Sequence, residues 1–289
     1  MGNCICLKAP LEVCEESPEK ARFDKVKLEG AGRPGTKRRE VRLGVSYDDG
    51  STYNGEILGD KRDGEGELTW KDGARYVGQW SQDKAHGQGR FVHADGNWYE
   101  GEWQEGLAHG QGVFQHHNGL RYEGQWLADK HHGQGVSVWP DGARYEGQHR
   151  SGNKHGDGRF SWSNGSSYEG QFVDNAIKGT GLYVWGDGRR FRGDWVDNAI
   201  HGHGVFSFPD GTSYEGQYAR DQKDGEGVFR WPDGRSYDGQ WSGGKQHGCG
   251  TYTTAAGDKR AGEWSAGKQV KWLRQAATGQ HWEPPAMQP

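Results

Sequence analysis

An uninterrupted 23-residue period restricts what this chain can fold into more than any other feature. Each unit starts on an aromatic residue, at Tyr53, Tyr76, Tyr99, Tyr122, Tyr145, Tyr168, Phe191, Tyr214 and Tyr237, and Arg260 holds the tenth place. No insertion or deletion falls between them. Each start opens a Tyr-x-Gly-x-aromatic segment, as in Tyr99-Glu100-Gly101-Glu102-Trp103. Eleven and thirteen residues later comes Gly-x-Gly, from Gly64 and Gly66 to Gly248 and Gly250. A few residues before the next start comes Asp-Gly or Asn-Gly, from Asp72-Gly73 through Asn118-Gly119 to Asp233-Gly234. A period of this length marks architectures in which one small unit cannot bury its own apolar side and stacks on its neighbours.

Composition decides between strands and helices. Only 31% of the residues are hydrophobic and the mean hydropathy is -1.07, so the fold has no thick two-layer core. The 51 glycines alone would read as disorder, but 14 Trp, 12 Tyr and 9 Phe exclude a solvated low-complexity chain. Glycine with aromatics at fixed spacing reads as turn-rich β structure. Asp-Gly between alternating segments is a hairpin signal, expected here as a type I′ turn, with the Gly-x-Gly in the loop back to the next hairpin. Alternation then puts Tyr214, Gly216 and Tyr218 on one face, and Glu215 and Gln217 on the other. The glycine leaves a slot where a neighbouring ring can lie on bare backbone. The fold class expected is all-β: an elongated, twisted, single-layer antiparallel β-meander of 23-residue hairpins, advancing roughly 10 Å per repeat.

Tyr-x-Gly-x-aromatic, Gly-x-Gly and Asp-Gly in this phase resemble the MORN (membrane occupation and recognition nexus) repeat over residues 43–268. The resemblance implies a non-enzymatic array that binds at membranes or scaffolds other proteins. Members of the family include junctophilin-type membrane-contact proteins, plant phosphatidylinositol phosphate kinases, radial-spoke heads and cytoskeletal scaffolds. Departures from the pattern are expected to interrupt or cap the ladder. They are Ile57 and His149 at the second aromatic, Ala256 at the turn Asp, and Arg260 at the tenth Tyr. Arg260 to Trp264, with Trp272 and Leu273, is expected to form a terminal cap, and Val45 to Gly50 the second half of a missing hairpin. The domain reading is a leader over 1–42, the array over 43–273 and a tail over 274–289. The sixteen residues after Leu273 leave no room for a catalytic domain.

The leader carries the most specific functional signal. Met1-Gly2-Asn3-Cys4-Ile5-Cys6 offers Gly2 for N-myristoylation, with Cys4 and Cys6 as S-acylation acceptors, although Cys6 stands where Ser or Thr is usual. A single myristoyl chain holds a membrane only marginally, so a second signal is required. Lys37, Arg38, Arg39 and Arg42 add a basic cluster that an anionic leaflet would attract. Residues 1–45 have a net charge of +3 and the remainder -7, so nucleic acid is an unsuitable partner for the array. With a single cysteine, Cys249, in the array and no run of eighteen apolar residues, neither a disulfide framework nor a spanning helix is expected.

Catalytic and metal sites are weaker readings. His86, His109, His132, His155, His201 and His247 each precede the first glycine of Gly-x-Gly. Equivalent positions lie roughly 10 Å apart, too far to share a zinc ion, and these are expected to be local hydrogen-bonding residues. His116-His117 and His131-His132 are a weaker metal or pH-sensitive possibility. Cys249 with His247 lacks a third orienting group. No cofactor is expected. The preferred function is a membrane-tethered scaffold, lipid-anchored on a cytoplasmic face, that binds a cytoskeletal or membrane-associated protein. Trp80, Trp103, Trp126, Trp195 and Trp241 are its first-ranked contacts, and a homodimer is allowed by the open sheet edges. The alternative is a module that binds phosphoinositides or regulates a phosphatidylinositol phosphate kinase.

Overall fold

The structure is a computed structural model that describes residues 38–273. Gly2, Cys4, Cys6 and Lys37, and the tail over 274–289, lie outside the described residues. The described residues form two compact units, of residues 38–163 with 173–175, and of residues 164–172 with 176–273. Both are all-β. In the first unit, β1 (Arg39–Ser46), β2 (Thr52–Leu58), β3 (Lys61–Thr69), β4 (Arg75–Ser81) and β5 (Lys84–Val92) begin the run. Each pairs antiparallel with the next, and the meander continues to Asn153–Ser161. The second unit holds strands from Ser167 to Trp272, again as consecutive antiparallel pairs.

A repeat is one seven-residue strand followed by one nine-residue strand, such as β4 and β5. The length difference comes from a bulge. Gly78 faces Gly89, but Trp80 faces Ala85, so one residue of β4 opposes three of β5. The first glycine of Gly-x-Gly makes this turn of the backbone: Gly87 has φ of 60°, a conformation that costs a β-carbon-bearing residue strain. The Gln79 carboxamide folds over Gly87 and accepts the Gln88 backbone N–H at 3.1 Å. The bulge leaves Gln79 without a rung partner in β5, and the Tyr76 hydroxyl donates to its carbonyl at 2.9 Å.

The second glycine has a different use. The Tyr76 ring lies flat over Gly89, and a β-carbon there would fall 2.6 Å from the ring. Gly66, Gly78 and Gly89 face each other in successive strands, so a bare backbone lane runs across the repeats with one tyrosine lying on each pair. Where Trp stands at the second position of a repeat and of the next, the tyrosine between is held edge to face by two indoles. Tyr76 meets Trp80 at 4.9 Å and Trp103 at 5.3 Å, and Tyr99 meets Trp103 at 5.0 Å and Trp126 at 5.1 Å. Aromatic burial of 150–250 Å² per ring supplies the core that a second layer would provide elsewhere.

Two sequence expectations about turns are corrected. Gly-x-Gly is not in a loop; it lies inside the long strand, Gly87 and Gly89 within β5. The Asp-Gly turns are not type I′. At Trp70 to Ala74 only Gly73 has positive φ, the Gly73 N–H donates to the Trp70 carbonyl, and Asp72 accepts the Ala74 N–H. That is a type I turn closed by a glycine bulge. The type I′ turns stand at the other end of the hairpin, where Gln82-Asp83, Ala128-Asp129 and Arg220-Asp221 all have positive φ at both central residues. The second residue of such a turn reaches back one repeat. The Asp83 carboxylate accepts the Arg62 N–H at 2.9 Å while the Asp83 N–H donates to the Arg62 carbonyl, and Asn198 does the same with Ile177.

The ends depart least where the sequence departs most. Tyr47 to Ser51 forms the same glycine-closed turn as the full repeats, so β1 is the long strand of an incomplete unit. Gly257 closes an equivalent turn without the usual Asp, so Ala256 interrupts nothing. Trp264 packs against Tyr237 at 4.8 Å and against Trp272 at 5.8 Å, and the last strand, Lys268–Trp272, forms the expected cap.

The glycine lane predicts an unequal pair of outcomes. Gly112→Ala, which drives a methyl into the Tyr99 ring, destabilises by about 3 kcal/mol or more, because neither backbone nor buried ring can give way. Tyr122→Phe, which removes only the hydroxyl bond to the Gln125 carbonyl, costs about 1 kcal/mol, and Phe191 already holds this position in its own repeat. Urea denaturation of the two variants beside the parent measures both.

Candidate functional site

The five tryptophans expected to meet a partner are all buried. Trp80, Trp103, Trp126, Trp195 and Trp241 are between 1% and 7% exposed. Their indole N–H groups are also engaged: Trp80 donates to the Gly66 carbonyl, Trp103 to Gly89, Trp126 to Gly112, Trp195 to Gly181 and Trp241 to Gly227, at 2.9–3.5 Å. An arriving partner finds little of these rings.

A second aromatic column is more open. Six residues before the starts, at the glycine-closed turns, Tyr47 and Trp139 are buried, whereas Trp70, His93, His116 and Trp162 in the first unit, and Trp185, Phe208 and Trp231 in the second, are half-buried. They continue the ring-bearing face, packing on the inner rings beside them: Trp70 on Phe91 at 5.4 Å, Trp185 on Phe206 at 5.1 Å and Trp231 on Phe229 at 4.8 Å. Arg189 lies 5.4 Å from the Trp185 ring while its Nε donates to Asp187, and Arg235 repeats the arrangement with Trp231 and Asp233. Backbone N–H donation from Arg189 and Arg235, reinforced by the guanidinium, holds both carboxyls below the usual carboxylate range. This column follows the same 23-residue period, but its residue type varies between Trp, His and Phe, so it forms no fixed motif in the sequence.

The ring ladder was expected to break at Ile57 and His149, and it does not. The residue opposite the second position, across the type I′ turn, varies: Trp126 faces His131, Trp195 faces Ile200 and Trp241 faces Gln246. Trp80 and Trp103 face Ala85 and Ala108, whereas Ile57 faces Arg62, His149 faces Lys154 and Tyr218 faces Lys223. In these three pairs a side chain smaller than indole meets a long cation, whose methylenes fill the volume and whose charge sits on neighbouring rings. Arg62, 2% exposed, lies 4.3 Å from the Trp80 ring and pairs with Asp83 at 3.3 Å. The Lys154 ammonium lies 5.4–5.9 Å from Trp139, Tyr145 and Phe160. The Lys223 ammonium is surrounded by Phe229 at 4.4 Å, Trp241 at 4.9 Å and Tyr214 at 5.0 Å, and desolvation pushes its pKa down to about 8.

The remaining candidates stay apart. His131 turns inward to stack on Tyr122 at 3.6 Å, and His116 meets His117 at 4.2 Å. Among the described residues no three His, Cys, Asp or Glu side chains are grouped to hold a metal. Cys249 is half-buried, and its backbone N–H donates to the Gln240 side chain. Of the basic cluster, Arg38 is exposed, Arg39 pairs with Asp63 at 2.8 Å, and Arg42 lies 3.6 Å from Glu40.

A family model for the MORN repeat matches nine consecutive segments, from residues 53–75 to 237–259. The chain belongs to the MORN repeat family. The MORN segments and the observed repeat share their phase, each opening on the aromatic start. No curated protein matches the chain. Among solved structures, the TCP10 domain of Danio rerio CPAP is 15% identical over 81% of this chain and 99% of its own, with a TM-score of 0.37. The TCP domain of Drosophila melanogaster SAS-4, solved with a proline-rich motif of Ana2, is 15% identical over 66% of this chain and 99% of its own, at 0.34. A virginiamycin B lyase from Staphylococcus aureus is 12% identical over 83% and 75%, at 0.15. A likeness at these TM-scores says nothing about function.

The caged lysine gives a pH signature. Between pH 8 and about 9.5 the unfolded Lys223 holds its proton and the folded one releases it, so stability rises with pH across that window. The rise is at most about 1 kcal/mol per pH unit, reduced by the partial exposure of the amine. Lys223→Met abolishes the rise, and urea midpoints measured at intervals through the window test it.

Proposed function

We propose that this chain is a membrane-tethered, non-enzymatic scaffold whose MORN array holds a protein partner, cytoskeletal or membrane-associated, at the cytoplasmic face of a membrane. The observation that carries the tether is the opening Met1-Gly2-Asn3-Cys4-Ile5-Cys6, with one acceptor for an amide-linked chain and two for thioester-linked chains. Two acyl chains anchor stably where one does not. The basic cluster contributes less than its count implies, because Arg39 and Arg42 have carboxylates beside them on the array. Lys37 and Arg38 then add attraction to an anionic leaflet, at about 1 kcal/mol each near the surface.

Membership in a family of repeat scaffolds supports the non-enzymatic reading. The partner surface in this proposal is the half-exposed aromatic column at the Asp-Gly turns, with Trp185 and Trp231 as its anchors. Their indoles combine apolar area with an adjacent Arg–Asp pair, the chemistry of a contact site with a polar rim. The buried tryptophans set the spacing of that column and do not themselves meet the partner. The second reading, an array that recognises phosphoinositide headgroups, is disfavoured by the -7 charge of the residues after position 45.

Membrane fractionation of the full chain beside Gly2→Ala and a Cys4→Ser/Cys6→Ser double variant tests the tether. Both variants are expected to become soluble, and retention of both at the membrane overturns the acyl anchor. The triple variant Gly2→Ala/Cys4→Ser/Cys6→Ser, mixed with phosphoinositide-containing vesicles at low and high salt, separates the second reading. Salt-sensitive binding without acylation would favour it over the first.

A further inference from the structure

The described array has two free strand edges with different charge patterns. Along most strands the ring-bearing face carries Tyr, Gly and Trp. On β1 that face carries charge: Glu40 stands opposite the buried Ile57, and Arg42 opposite Gly55. The other face of β1 bears Val41 and Leu43, at 69% and 78% the most exposed large apolar side chains among the described residues. Among those residues no strand pairs with the far side of β1.

Charges on the inner row of an edge strand ordinarily discourage a further strand from adding. Here their spacing is self-complementary. If a second β1 is laid antiparallel with Val41 opposite Val41, the two chains place Glu40 opposite Arg42 twice, and Arg39 opposite Leu43 twice. No like charges meet. An axis at Glu40 or Arg42 sets that charge against itself and an axis at Leu43 pairs no charges, so the Val41 axis is the one that brings opposite charges together. The Glu40–Arg42 contact within one strand, 3.6 Å and exposed, is weak and can be exchanged for the direct cross-strand pair. The last described strand lacks this property. The strand Lys268–Trp272 carries Lys268 and Lys271 with no acid, and laid against β1 it would bring lysines toward Arg39 and Arg42.

We propose that the free edge of β1 pairs antiparallel with the same edge of a second copy of this chain, on a two-fold axis through Val41. The same charges that exclude an unrelated strand admit this one, which makes the contact specific. An isologous pairing closes on itself, so neither β1 edge is left for a third chain. Centred on Val41, the pairing joins Arg39 to Leu43 of each strand, which places the dimer in the weak, reversible class. It does not depend on the proposed membrane anchor.

The test is sedimentation of the unacylated full chain beside three variants. The parent is expected to form a reversible dimer. Glu40→Arg makes the inner row wholly basic and Arg42→Glu makes it wholly acidic, so each alone dissociates at least about tenfold more readily. Mixed in equal amounts, the two single variants are expected to recover dimer as a mixed pair, because each supplies the charges the other lacks. Val41→Lys, which sets two ammonium groups on the axis, abolishes the dimer. Near-UV circular dichroism checks that the substitutions, at exposed positions, leave the ladder folded. A monomeric parent overturns the proposal. So does a parent dimer that the single reversals leave unchanged, or a mixture of the two reversals that stays monomeric.

Discussion

A tyrosine ring lying on the bare backbone of a glycine is the contact on which everything else in this molecule rests. A single-layer sheet has no opposite layer to exclude water, so it must make a core from its own side chains. Each long strand provides a glycine with no β-carbon, and a ring settles into the vacancy close enough for its hydroxyl to reach a carbonyl that the bulge has freed. The indole of the same repeat covers one edge of that ring and the indole of the next covers another. Glycine, tyrosine and tryptophan are three parts of one device, and none has a use here without the other two.

The two ends of the hairpin divide the remaining work. At the type I′ end, Asp or Asn side chains and backbone N–H groups tie each repeat to the one before, as Asp83 does for Arg62 and Asp221 for Ile200. At the Asp-Gly end, each turn is closed by bonds within itself, with bonds to the neighbouring turn at places such as His117 to Asn97, and most of the rings there stand half open to solvent. Repeats are tied more regularly along one side, and more ring surface is offered along the other. This polarity explains why a scaffold reading suits the aromatic column at the Asp-Gly turns better than the enclosed tryptophans.

Much of the architecture was legible in the period alone, because three motif elements in fixed phase leave few ways to pair strands. What escaped was the identity of the turns. Asp-Gly is a strong hairpin signal, and it does mark a turn, but the preceding residue stays at negative φ and the closing glycine carries the bulge. The true type I′ turns fall on Gln82-Asp83, Ser151-Gly152 and Asp197-Asn198, pairs too varied to stand out as a motif. The pairing of His149 with Lys154 or Tyr218 with Lys223 was equally hidden. Nothing in alternation says which residue faces which across a bulge that sets one residue against three.

That cross-strand matching has a consequence for how such arrays can change over time. The two members of each matched pair lie five residues apart, on either side of one type I′ turn and inside a single 23-residue unit. Duplication, deletion or transfer of a whole unit therefore carries both halves together, and the unusual combination arrives already compensated. A point change at either half alone leaves a gap or a collision. The array is thus more tolerant of losing or gaining entire units than of losing a single methylene at these places, and its natural step of variation is the repeat.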